Sequence, residues 1–229
     1  MQNHCGIRAA DPAVLGGRST LTLGADLSKR IALLLLLCAG VGTSCARELP
    51  DVNDGDVIFQ TSRSSQSVAV QRATHSRFSH MGIVIIRSGR PYVLEASVTV
   101  RYTPLRDWID RGVSHAFVVK RLATALNSAQ VASLRATAQG FVGRPYDLTF
   151  EWSDARMYCS ELVWKIYDRA LEVKLGALQR LSDFDLSDAV VKGKLHERYG
   201  DHIPLDEPVI SPAVIFGSSL LVTSATSGS

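Results

Sequence analysis

The feature that most constrains this chain is a hairpin written into residues 80–98. Met81-Gly82-Ile83-Val84-Ile85-Ile86 is rich in β-branched residues and reads as a strand, Ser88-Gly89 is a turn signal, and a second strand is predicted over 92–98. A two-residue turn at Ser88-Gly89 pairs Arg87 with Arg90 and sets Gly82 opposite Glu95. His80 and Glu95 then share one face as diagonal neighbours, roughly 7–8 Å apart at Cα and within reach of long side chains. A four-residue turn keeps that face; an odd turn destroys it. Glu95 interrupts Tyr92-Val93-Leu94 in a half-buried strand. A buried carboxylate is costly without a partner, and an imidazole N–H is a natural one.

The other elements fit around this hairpin. A short strand is predicted at 56–60, a polar loop over 61–79, a short helix over 104–112 and a strand over 115–121. The stretch 127–142 carries Val131, Leu134, Ala138, Phe141 and Val142 on one helical face. A helix opening at Cys159 has a core-facing stripe of Leu162, Val163, Ile166, Tyr167, Ala170 and Leu171. A further helix is predicted near 184–199, and the tail over 209–222 is apolar with Pro212 inside it. Strands in the middle with helices on either side predict an α+β fold, an antiparallel sheet packed against helices.

The N-terminus reads as an export signal. Lys29-Arg30 precede the apolar residues 31–41, well short of the ~20 that cross a bilayer. The small residues Gly42-Thr43-Ser44-Cys45-Ala46 follow. Two processing outcomes stand: cleavage after Ala46, or lipid attachment at Cys45 as in bacterial lipoproteins, with Gly42 off the usual pattern. Residues 1–46 are thus an N-terminal extension with its signal, and 47–229 one domain. The expected location is the periplasm or cell envelope, with membrane contact only through a lipid at Cys45. Of the four cysteines, only Cys159 lies beyond the signal. An oxidising compartment usually pairs cysteines, so a lone one implies inert burial, intermolecular pairing or a reactive thiol. The cysteine count excludes a CxxC zinc site, and neither a metal nor an organic cofactor is implied. A net charge of +3 with no basic stripe argues against a nucleic-acid partner. Nothing in the pattern assigns an oligomeric state.

Cys159 is predicted at a helix start, where unpaired N–H groups favour a thiolate and can hold an oxyanion. Glu161 in the first turn opposes the thiolate, so a base is needed. Among His75, His80, His115, His196 and His202, His80 is best placed, at the mouth of the most apolar strand. The outcome is Cys159 as nucleophile, His80 as base and Glu95 orienting it. The plainer alternatives are a small buried Cys159, a merely hydrogen-bonded His80 and a solvent-facing Glu95.

Ser79-His80-Met81-Gly82-Ile83, Leu94-Glu95-Ala96, Tyr146-Asp147 with Phe150, and Tyr158-Cys159-Ser160-Glu161-Leu162-Val163 resemble the permuted papain-like cysteine hydrolases of the YaeF/YiiX group, within the NlpC-type superfamily. Gly55-Asp56 and Val209-Ile210-Ser211-Pro212 fit as well, so the resemblance runs over about 51–220. It implies a circularly permuted papain-like core, with the histidine and its partner preceding the cysteine helix. Carried over by motif, Cys159 is nucleophile, His80 general base and Glu95 its orienting residue in a cysteine amidase or peptidase. Tyr146 and Tyr158 are candidates to bind substrate and supply a second oxyanion donor, against a role in core packing. His75 and His115 read as structural or surface residues. The loop bearing Arg63, Arg72 and Arg77 reads as solvated, against a role in gating a cleft or contacting an anionic substrate.

Three functions compete. The first is a cell-envelope thiol hydrolase that cleaves a peptide-like amide through a thioacyl intermediate. The second is a lipid-directed thiol acyltransferase or hydrolase acting on an amide or ester, with the apolar tail (Ile215, Phe216, Leu220, Leu221) against an acyl chain. The third is a catalytically inactive envelope binding module.

Overall fold

The hairpin is the centre of the sheet. In the computed structural model, which describes residues 48–227, β1 (Val57–Gln60) is followed by β2 (His80–Arg87) and β3 (Arg90–Ala96). Arg87 lies opposite Arg90 and Ile83 opposite Leu94, the register expected of a two-residue turn. Ser88 and Gly89 both have positive φ, 48° and 73°, a pair whose twist matches that of the flanking strands. β4 (Val100–Pro104), β5 (Val118–Leu122) and β8 (Leu221–Thr226) complete a six-stranded sheet of order β4-β3-β2-β1-β5-β8, antiparallel throughout. A separate ribbon pairs β6 (Gln179–Arg180) with β7 (Pro208–Val209).

Period-two alternation divides the central strands between two apolar layers. Phe59, Met81, Ile83, Ile85 and Leu94 face a core shared with Leu134, Ala138 and Phe141 of α3 (Ser128–Phe141) and with the inner face of α4 (Cys159–Leu171). Ile58, Val84, Val93 and Val119 face the other way, onto Leu105, Trp108 and Ile109 of α2 (Leu105–Asp110). Both faces are covered, which is why 81–86 reads as an unbroken apolar run. Asn127 caps α3 reciprocally with Gln130. A smaller cluster of Ala69, Leu181, Val191 and Leu195 joins α1 (Ser67–Thr74) to α5 (Ala189–Tyr199).

Several elements depart from the expected reading. The 61–79 segment contains α1 rather than only loop. Its eight residues are mostly polar, and a helix so short rests on packing against α5 rather than on propensity. β4 was not expected, because a five-residue edge strand in which only Val100 and Thr103 are buried carries little pattern. His115 ends a 3-10 turn, Val113–His115, instead of starting a strand, and both it and Ser114 hold left-handed φ. The tail is not one apolar surface. It divides into β7, α6 (Pro212–Phe216) and β8, with the Ser211 side chain accepting from Val214 N–H. Ile215 and Leu221 are buried, and Phe216 packs on Phe59 and Phe78. These three belong to the core and Leu220 is exposed, so the tail does not offer the acyl-chain surface proposed for it. The export signal and Cys45 lie outside the described residues.

Candidate active site

The nucleophile candidate sits at a junction. An extended segment ends at Tyr158, and Cys159 is the first residue of α4. Its two neighbours hold one backbone residue between them: the Tyr158 hydroxyl accepts from Ile210 N–H at 3.1 Å, and Ser160 Oγ donates to the Ile210 carbonyl at 2.8 Å. The sulfur is thereby set at a helix start, among unpaired N–H groups. Cys159 is 5% exposed and lines the end of a groove.

His80 opens β2, so its imidazole stands at the end of the sheet, where α4 begins. Gly82 allows the close approach of β3 beside it: a Cβ there would lie 2.4 Å from Val93 Cγ1 and 2.7 Å from the Leu94 carbonyl oxygen. Across that contact His80 Nε2 meets Glu95 Oε2 at 2.7 Å. The ring stacks near the Trp108 indole, centroids 5.8 Å apart. Cys159 is the other group that acts on the ring to raise its pKa; with Nε2 taken by Glu95, Nδ1 is the nitrogen left for the sulfur. Burial pulls the His80 pKa down, but the hydrogen bonds and charges of Cys159 and Glu95 outweigh it and raise the value from 6.5 to about 9. The sequence-predicted constellation of sulfur, imidazole and carboxylate is therefore brought together.

Glu95 is fully buried and divides its two oxygens. Oε2 serves His80; Oε1 accepts from Thr103 Oγ1 at 2.6 Å and from an Arg111 guanidinium nitrogen at 2.5 Å, with Arg101 Nε at 3.8 Å. Burial pushes its pKa up, yet His80, Thr103 and Arg111 together bring it from 4.5 to about 2. Thr103 and Arg111 escaped the sequence reading. Arg101 lies directly opposite Glu95 on β4 and Thr103 follows two residues on, on the same face. Recognition of β4 as a strand is the signal that finds them. Arg111 follows α2 and had no local pattern.

Glu161 is also fully buried, but it does not oppose the sulfur alone. Lys165 Nζ donates to its Oε1 at 2.7 Å, to Asp154 Oδ1 at 3.0 Å and to the Ser153 carbonyl at 2.6 Å. Burial nonetheless dominates, and the Glu161 pKa rises from 4.5 to about 7.

The groove leading from Cys159 is walled by Ala69, Val70, Leu181, Val191 and Leu195, with Gln66, Lys194 and Arg198 among its polar residues. Tyr146 and Tyr158 both line it. Tyr146 accepts a hydrogen bond from Gln66 Nε2 at 3.0 Å; burial, with the nearby charge of Cys159, raises its pKa and keeps the phenol protonated. Tyr158 is almost wholly buried, its hydroxyl engaged by Ile210 and its ring edge-on to Phe150. His75 is exposed and pairs with Asp185, and His115 lies 3.7 Å from Asp110; neither lines the groove. Arg72 is paired with Asp188 and Arg77 lies over Phe78. With Arg63, they stand outside the groove lining.

A family model described as permuted papain-like amidase enzyme, YaeF/YiiX, C92 family, matches residues 51–219. The chain belongs to this family. Among relatives of the YaeF/YiiX family, the uncharacterized protein YiiX of Escherichia coli K12 is 50% identical over 171 residues, covering 75% of this chain and 85% of the relative. The crystal structure of YiiX from Escherichia coli O157:H7, described as a metalloprotein, superposes with a TM-score of 0.75 at 49% identity, over 76% of this chain and 97% of that one. The α+β architecture and the permuted papain-like fold expected from sequence are those of the family. Among the described residues, no three His, Cys, Asp or Glu side chains converge as metal ligands.

Proposed function

We propose that this member of the amidase family is a thiol hydrolase of amide bonds acting in the cell envelope, with Cys159, His80 and Glu95 as nucleophile, base and orienting acid. One observation carries the reading: an imidazole held at 2.7 Å by a buried carboxylate stands beside a cysteine at a helix start, and that cysteine acts on it to raise its pKa. In the first half-reaction the thiol proton passes to His80 Nδ1. A sulfur–carbon bond forms, and the carbonyl π pair moves onto oxygen. The Cys159 N–H and the Tyr146 hydroxyl stabilise that oxyanion. Collapse breaks the carbon–nitrogen bond as His80 returns the proton to the leaving amine. Water then adds to the thioester, giving a proton to His80. Collapse breaks the carbon–sulfur bond, frees the acid and returns the proton to sulfur. The envelope assignment rests on the basic-then-apolar segment 29–46, with cleavage after Ala46 or a lipid on Cys45 as its two forms.

The lipid-directed reading is favoured by a different observation from the one first considered: the groove beside Cys159 is walled largely by aliphatic side chains, suited to an acyl chain. Incubating the protein with envelope peptides and with lipid esters, then weighing the trapped acyl-enzyme by mass spectrometry, separates the two. Alkylation by iodoacetamide tests the core of the proposal against an inactive binding module. We expect rapid, pH-dependent modification of Cys159 that His80→Ala slows by at least tenfold, and no turnover in Cys159→Ser with the fold intact. Sluggish modification indifferent to His80 would establish a binding module instead.

A further inference from the structure

Tyr146 receives a hydrogen bond whose direction is set two residues away. Arg198, near the end of α5, donates through a guanidinium nitrogen to Gln66 Oε1 at 2.5 Å. A guanidinium can only donate, so it forces the amide oxygen of Gln66 to face it and the NH₂ group to face the other way. Gln66 Nε2 then donates to the Tyr146 hydroxyl at 3.0 Å. The phenol oxygen is thus an acceptor, and its own proton is left over. Among the described residues no hydrogen bond uses that proton, and Tyr146 lines the groove with Cys159. Gln66 precedes α1 and its side chain makes no cap for that helix. Arg198 in turn is seated over the Phe150 ring at 4.9 Å.

We propose that Arg198 and Gln66 are positioning residues: they form a one-way chain, Arg198 to Gln66 to Tyr146, that aims the Tyr146 proton at the carbonyl oxygen attacked by Cys159. The proposal rests on the thiol-hydrolase reading above and adds two residues outside the triad. Successive bonds of the same sense polarise one another, so the phenol is a stronger donor at the chain's end than an isolated one.

Acylation by p-nitrophenyl butyrate is the probe. The thiol proton passes to His80, the sulfur–carbon bond forms as the π pair moves to oxygen, and collapse breaks the ester carbon–oxygen bond to release p-nitrophenolate, one per chain in the burst. Tyr146→Phe is expected to slow the burst by ~10²-fold, the cost of one oxyanion donor. Gln66→Glu keeps a partner for Arg198 but offers Tyr146 an acceptor, drawing the proton away from the site; its loss approaches that of Tyr146→Phe. Gln66→Leu removes the bond without diverting the proton and loses only ~3–10-fold, as does Arg198→Met, which frees the amide to turn. The double variant Gln66→Glu/Tyr146→Phe is no slower than Tyr146→Phe alone. Iodoacetamide alkylation forms no oxyanion, so Tyr146→Phe slows it far less than it slows the burst.

A purely structural Gln66 reverses the order, because glutamate preserves the contact with Arg198 and leucine does not. Gln66→Glu acylating within threefold of the parent, or Gln66→Leu slower than Gln66→Glu, overturns the chain while burst and His80-dependent alkylation persist in the parent. Absence of both in the parent sinks the hydrolase reading and this proposal with it.

Discussion

Glu95 and Glu161 are both fully buried, one against His80 and the other in the first turn of the helix that Cys159 opens, yet their protons are held in opposite ways. Glu95 is held ionised to about pH 2, whereas Glu161 keeps its proton to about pH 7. Burial raises both. The difference lies in the partners. Glu95 sits among an imidazole, a hydroxyl and a guanidinium, each within 2.7 Å. Glu161 has one ammonium, shared with Asp154 and Ser153, and a long 3.4 Å bond from Tyr158 N–H. Full burial alone therefore does not decide a carboxylate's charge; the number of donors that it keeps to itself does. The better-partnered one is the acid that the proposed mechanism needs ionised.

The largest expected effect comes from spoiling the better-served acid. The Arg111 guanidinium can only donate, so it holds the amide oxygen in place of Oε1; Glu95→Gln then turns its NH₂ towards His80 Nε2 and forces the imidazole proton onto Nδ1, facing the sulfur. Turnover should fall by ~10³-fold without vanishing, and the alkaline limb set by His80 should move down from about pH 9 towards 6.5; an unshifted limb in a pH–rate profile would break the contrast. Next comes Arg111→Met. The guanidinium is 42% exposed, so its charge is partly screened. We expect roughly a tenfold loss and an acid limb shifted upward, both recovered in part by Arg111→Lys.

The smallest effect is on stability against pH, and it sharpens the contrast by its sign. The folded pKa of Glu161 is raised, so the native state holds its proton more tightly, and stability falls as pH rises from 4.5 through about 7. The Glu95 pKa is depressed, so its contribution is present above 4.5 and lost as pH falls through about 2. His80 contributes below 6.5 and loses its contribution as pH rises through about 9. Thermal midpoints should show Glu161→Gln flattening the 4.5–7 window alone, with turnover within about threefold of the parent. A change at pH 2–4 instead would mean that the two acids are coupled.

What could be read from residues alone follows locality. The His80–Glu95 pairing was legible because a two-residue turn and strand parity carry it, and both act within 16 residues. The helix opening at Cys159 was legible from its apolar period. The second oxygen of Glu95 was not, because β4 is short and polar and Arg111 lies beyond any strand pattern. Nor was α1: its helix depends on α5, more than a hundred residues later. The groove and the Arg198–Gln66–Tyr146 chain need that same long-range closure. The apolar tail shows the converse error, since greasy residues near a site served the core.

Ile210 has a consequence for the order of events in the cell. Tyr158 and Ser160, on either side of the sulfur, are anchored to a residue about fifty positions downstream. Their final posture cannot be reached until residue 210 has emerged. If the chain is exported and active as proposed, it stays chemically mute until that residue arrives on the far side.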